Sequence, residues 1–196
     1  MFAILASGSW GRRHCDPVVA KGSVEVDWDV VQGLEPGPLQ TALLDLVQGV
    51  MSGRSEDDEA RAAASLPEPL LTIWILSWLD FEVTQGSLIA YFYNSHGRFA
   101  PATAEALERI GAQRMSAVLR RAITTHAAVR DTWFERRGAL SAPGDVVLGP
   151  YEDLPGLEEL GELTNEYWTA AEADEWGEKL DRYLVRSVRE HAARHS

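Results

Sequence analysis

Between Leu70 and Val83 the chain carries Leu70, Leu71, Ile73, Trp74, Ile75, Leu76, Trp78, Leu79, Phe81 and Val83, with no glycine or proline among them. Such a run is too long for an ordinary buried strand and is apolar almost all round a helix. It predicts a central helix covered on most sides, and therefore a fold with several other helices to cover it. Ser77, Asp80 and Glu82 interrupt the run. It falls short of the roughly 20 apolar residues that span a bilayer.

The flanking sequence supplies those helices. Pro38 suits a first helical position, and Leu39, Ala42, Leu43, Leu46, Val47 and Val50 form one stripe up to Gly53. Ser55 caps an acidic first turn, Glu56 to Glu59, in a short helix that Pro67 stops. Leu88 to Tyr93 is a second apolar block, and Asn94-Ser95-His96-Gly97 reads as a turn. A helix runs from Pro101 to Gly111, and a long one from about Ala112 to Arg137, closed by Gly138. After a loop rich in proline and glycine, Leu157–Leu163 reads as a short helix. Thr169-Ala170-Ala171-Glu172 then reads as a capping box that opens the last helix. Residues 1–36 carry little periodicity; Val24 to Val30 permits a short strand, Trp28 to Gln32 equally a single helical turn. The expectation is an all-α fold: one compact multi-helix domain over 37–196 with a loosely structured N-terminal arm, 1–36. Trp74, Trp78, Trp133 and Trp176 fall on apolar faces and read as core. Trp168 with Tyr167 reads either as an interface anchor or, the preferred reading, as partly buried against the last helix.

Charge constrains function next. The 196 residues carry a net charge of -12, which argues against a nucleic-acid or anionic-membrane binder, since both need a basic footprint. It suits a basic protein partner instead. The charge is also segregated. Residues 22–97 have a net of -10, residues 138–178 hold 11 acids and no Lys or Arg, and residues 98–137 carry a net of +4. Glu158, Glu162 and Glu166 stand four residues apart. On a continuous helix they would be spaced by roughly 6 Å, close to twice the roughly 3.4 Å between phosphates of one DNA strand. The expected contact surface is Glu152, Asp153, Glu158, Glu159, Glu162, Glu166, Asp174 and Glu175, with Asp57, Asp58 and Glu59 as a second patch. The ordinary alternative is a solvated face that keeps the protein soluble.

Catalytic and metal chemistry find little footing. Cys15 is the single cysteine, so neither an internal disulfide nor a cysteine-based zinc site can form, which fits a reducing, cytoplasmic setting. His14-Cys15-Asp16 are adjacent and cannot converge on one substrate atom. His96 and His126 lack a ligand partner at helical spacing. His191 and His195 have chelating spacing, yet also suit a helix C-terminus. No catalytic residue, metal ligand or cofactor is expected.

One block is more specific. Glu82-Val83-Thr84-Gln85-Gly86 followed by Tyr91-Phe92-Tyr93-Asn94-Ser95-His96-Gly97, and then Ala104 to Ala112 with its Ile110-Gly111-Ala112 ending, resembles the bacterial DNA-mimic protein (DMP) family. That family is an all-helical group long filed as a domain of unknown function. Leu163, Glu166, Tyr167 and Lys179-Leu180-Asp181-Arg182-Tyr183 are similar to its closing segment, so the resemblance covers roughly residues 68–190. It implies an acidic, non-enzymatic protein, in the characterised case a homodimer. Such a protein occupies the DNA-binding surface of a helix-turn-helix transcription factor and contacts neither nucleic acid nor membrane. Within the block, Glu82, Gly86, Tyr91, Phe92, Asn94, Ser95 and Gly97 read as scaffold: aromatic core, turn and cap hydrogen bonds, and a glycine free to take positive φ. From sequence alone, an immunity-type inhibitor of a basic toxin or nuclease would present the same acidic surface.

Overall fold

The computed structural model describes residues 26–53, 55–95, 97–140 and 154–195. Among them there are nine helices and no strand: α1 (Trp28–Val31), α2 (Pro36–Met51), α3 (Glu56–Ser65), α4 (Glu68–Gln85), α5 (Leu88–Ser95), α6 (Ala100–Ile110), α7 (Gln113–Leu140), α8 (Leu157–Asp174) and α9 (Trp176–His195). The all-α expectation is met. His14, Cys15, Asp16, His96, Glu152 and Asp153 lie outside the described residues, as do the side chains of Asp57 and His195.

α4 is the central helix that its sequence demands. Leu70, Ile73, Trp74, Ile75, Leu76, Leu79 and Val83 are all buried, because α2, α5, α6 and α9 each take one of its sides. The remaining helices build outward, with α7 bridging α6 and α8. α1 settles the ambiguous Val24–Val30 stretch as a helical turn over its described part. Asp27 caps it, Val31 is buried, and Trp28 packs on His191 of α9 with ring centroids 4.3 Å apart.

α5 takes in Asn94 and Ser95, which the sequence reads as part of a turn, and three further helix boundaries differ from the sequence reading. α2 starts at Pro36 rather than Pro38, since both prolines fit a first turn whose N–H groups have no intrahelical acceptor. α7 continues through Gly138 to Leu140; a single glycine costs a helix about 1 kcal/mol and does not by itself end one. The third difference matters most. Thr169 to Glu172 opens no helix, because α8 runs unbroken from Leu157 to Asp174. Thr169 Oγ1 donates to the Asn165 carbonyl one turn back, while Leu160, Leu163, Tyr167, Ala170 and Ala171 keep one face buried. Burial of that continuous stripe outweighs a capping pattern on the solvent side. The break comes at Glu175, in the left-handed region at φ 49°.

The turn between α5 and α6 depends on Gly97. Its φ is +67°, and a Cβ there would lie 3.1 Å from His126 Nδ1 and 3.3 Å from the Phe92 ring. Gly97→Ala combines left-handed strain with crowding. It should lower the unfolding free energy by about 2 kcal/mol, read from urea melts. An unchanged midpoint would show that the turn relaxes freely.

Candidate partner-binding surface

The acidic surface begins with how α8 is held. Trp133 of α7, itself buried, donates its indole N–H to the Pro155 carbonyl at 3.0 Å. Gly156, at φ +83°, packs close to Thr125 and Val129 of the same helix. α8 then lies along α7 and reaches α5, where Thr164 Oγ1 accepts the Leu88 N–H at 3.2 Å. Glu158 and Glu159 fall in its first turn, where carboxylates are favoured by the helix dipole.

With the inner face fixed, the outer face follows from helical geometry. Glu158, Glu159, Glu162 and Glu166 are exposed, and the unbroken helix spaces Glu158, Glu162 and Glu166 by roughly 6 Å per step along its axis. Glu172 is exposed on the same helix. Sequence reasoning missed it because its turn was read as a cap; the spacing 158, 162, 165, 169, 172 carried the signal.

The basic α7 reaches into this row at one point. Arg121 pairs with Glu166 through both carboxylate oxygens. That contact raises the guanidinium's pKa, with Glu159 adding to the effect. The other α7 arginines that pair do so elsewhere, Arg120 with Glu108 at 2.9 Å and Arg130 with Asp131 at 3.3 Å. Glu158, Glu159 and Glu162 have no ion pair among the described residues.

Asp174 does not belong to this surface. It is 5 % exposed, and its Oδ2 accepts the backbone N–H groups of Arg114 at 2.8 Å and Met115 at 3.1 Å. It caps α7, whose first turn needs an acceptor. Lys179 Nζ stands 3.6 Å from Asp174 Oδ1 and donates to the Gly111 carbonyl at 2.8 Å. One buried carboxylate thus ties the α6–α7 turn to the α8–α9 turn. In the second patch Glu59 meets Arg98 at 3.4 Å, and Asp58 accepts from Arg61 and from Ser55. Glu175 is exposed at the α8–α9 break.

Of the motif residues, Glu82, Tyr91, Phe92 and Ser95 are buried, while Gly86 and Asn94 stand at the surface. Glu82 is buried and its Oε2 accepts from Asn94 Nδ2 at 2.6 Å, tying α4 to α5. A Cβ on Gly86 would fall 2.6 Å from the Ala90 methyl. The Tyr91 hydroxyl pairs with Thr103 at 2.9 Å, Phe92 stacks on His126 with centroids 4.6 Å apart, and Ser95 Oγ accepts the Gly97 N–H. Of the tryptophans, Trp74 and Trp133 are buried and Trp78 and Trp176 half-buried, whereas Trp168 is 39 % exposed beside a buried Tyr167. Among the described residues no group of three His, Cys, Asp or Glu is placed to hold a metal, and no helix is long and apolar enough to cross a membrane.

Burial raises the Glu82 carboxyl above its ordinary 4.5, and the Asn94 hydrogen bond offsets part of that rise. The folded chain therefore keeps this proton to a higher pH than the unfolded chain. The corresponding stability is present below the unfolded value and lost as pH rises through the folded one. Glu82→Gln removes that loss. Its stability relative to the natural chain should climb from about pH 4 to about pH 7 in urea melts; a flat difference would contradict the assignment.

Neither the curated proteins nor the solved structures contain a match to this chain. A family model does match, over residues 64–191, described as DMP19-like protein. Those residues take in the whole scaffold built around Glu82, Tyr91, Asn94 and Gly97 as well as the acidic α8, and the chain belongs to the DMP19-like protein family.

Proposed function

We propose that this protein is a non-enzymatic DNA mimic that binds the basic, DNA-contacting surface of a helix-turn-helix transcription factor and blocks it from DNA. The observation that carries the reading is the outer face of α8. Glu158, Glu159 and Glu162 are exposed and form no ion pair among the described residues, on a helix whose pitch repeats carboxylates at roughly 6 Å. Each carboxylate offers two acceptor oxygens to a Lys or Arg that would otherwise hold a phosphate. Glu172 and Glu175 extend the face, and family membership supports the same reading. On α7, Arg120, Arg121 and Arg130 are engaged with acids of this chain.

Arg121 limits the row by neutralising Glu166. Arg121→Ala should therefore tighten partner binding several-fold at low salt while costing under ~1 kcal/mol of stability, since the pair is exposed. Isothermal titration checks the affinity and urea melts the stability; weakened binding would place Arg121 in the contact itself.

The reading as a whole is tested by affinity capture from lysate of the source organism, with elution in a salt gradient. One DNA-binding regulator, eluting early in the gradient and displaced by its own operator duplex, is the expected result. Capture of a basic toxin or nuclease would replace it with the immunity-type reading.

A further inference from the structure

One large aromatic interrupts the polar outer face of α8. Trp168 is 39 % exposed and is braced edge-on by the buried Tyr167 ring at 5.7 Å. Gly161, Asn165, Trp168 and Glu172 follow one another at steps of four, three and four residues, so they share one stripe of the helix. That stripe runs beside Glu158 and Glu162. A helical side chain covers the turn before its own Cα, which directs the indole back toward Gly161 and Glu172 back toward the indole. At Gly161 a Cβ would meet no described atom within 4 Å. Glycine inside a helix is less stable than alanine, and no packing among the described residues requires it here. The cation–π contact of the described residues is Arg98 over Phe99 at 5.4 Å, so none of their cations covers Trp168. Glu172 is exposed and forms no ion pair among the described residues.

We propose that this stripe is an arginine-selective subsite: one guanidinium of the partner lies flat on Trp168, pairs with Glu172, and its chain passes through the notch left at Gly161. The proposal rests on the reading of α8 as the partner surface and adds what the carboxylate row lacks. Carboxylates at phosphate-like spacing attract any basic protein, just as phosphate contacts position a DNA-binding protein without specifying sequence. An aromatic face with an acceptor beside it offers more. Arginine stacks its planar, weakly hydrated guanidinium on such a face and keeps its N–H groups for the carboxylate. Lysine carries a compact, strongly hydrated charge with no flat face to stack. An anionic occupant would meet the repulsion of Glu158, Glu162 and Glu172, and a purely apolar one would leave them without partners. The row thus supplies attraction, and Trp168 supplies discrimination among basic partners.

Fluorescent deca-arginine and deca-lysine, titrated with the full chain at about 0.1 M salt and followed by anisotropy, test the subsite. The peptides carry equal charge, so the ratio of their Kd values reports what charge alone does not. The natural chain should bind deca-arginine more tightly, on the order of 10-fold. Trp168→Ala should weaken deca-arginine about five-fold and leave deca-lysine nearly unchanged, and Trp168→Phe should restore part of the loss. Gly161→Ala should raise the urea midpoint and yet narrow the preference for arginine, a pairing that a merely structural glycine does not produce. It also serves as the second variant should Trp168→Ala misfold. Glu158→Arg/Glu162→Arg should weaken both peptides in parallel. Three results overturn the proposal: a natural chain that binds neither peptide, a Trp168→Ala variant that loses both equally, or a preference that survives Trp168→Ala. A preference that Trp168→Ala removes, with both peptides indifferent to Glu158→Arg/Glu162→Arg, would uphold the subsite and count against the carboxylate row as the partner surface.

Discussion

Asp174→Ala is expected to be the most damaging single substitution outside the apolar core. It leaves the Arg114 and Met115 N–H groups without their acceptor and strips Lys179 of its carboxylate. Lost helix caps cost about 1 kcal/mol, and breaking a partly buried charge pair from one side costs about 3 kcal/mol or more. Lys179 keeps its bond to the Gly111 carbonyl, so the combined loss should be about 3 kcal/mol, seen as a lower urea midpoint at unchanged slope. Asp174→Asn retains an acceptor for the helix end and should lose about half as much. A loss under ~1 kcal/mol for the alanine variant would mean that the first turn of α7 finds water in place of the carboxylate.

Charge reversal on α8 should do the converse, sparing the fold and abolishing binding. Glu158 and Glu162 are exposed and point away from the stripe that packs α8. Glu158→Arg/Glu162→Arg should change the thermal midpoint little, since surface substitutions stay within about 0.5 kcal/mol. Each reversal removes an attraction to the basic partner and adds a repulsion, for a combined loss on the order of 100-fold in Kd, or about 2.7 kcal/mol. The difference should shrink as salt rises. A thermal melt reads the first quantity and isothermal titration at two ionic strengths the other two, and unchanged affinity would move the contact off α8.

Much of this architecture was legible in the residues. The unbroken apolar run of α4 required a helical surround. Ser55 and Gly111 marked helix ends that the structure places where the sequence did, Ser55 Oγ accepting the Asp58 N–H and Gly111 standing at φ +91°. The α8–α9 break was illegible because it has no punctuation. Glu175 takes a left-handed conformation usually left to glycine or asparagine, while Thr169 to Glu172 offers a capping pattern that packing overrides. The acidic surface was legible in part. Helical spacing found Glu158 and Glu162, but charge counts cannot separate a solvated carboxylate from one that caps a helix. Asp174 and Glu59 look like surface acids in sequence, and only the fold brings Lys179 and Arg98 to them. Motif residues were the easier inference: Tyr91 and Phe92 had to be buried somewhere, and the Glu82–Asn94 pair accounts for two polar positions beside them.

The most direct test of mimicry is competition. The regulator captured from lysate is bound to its fluorescent operator duplex and titrated with this protein at low salt, following anisotropy. Stoichiometric release of the duplex, absent with Glu158→Arg/Glu162→Arg, is the predicted result. A ternary complex in which duplex and protein remain bound together would contradict it, since two occupants of one DNA-binding surface exclude each other.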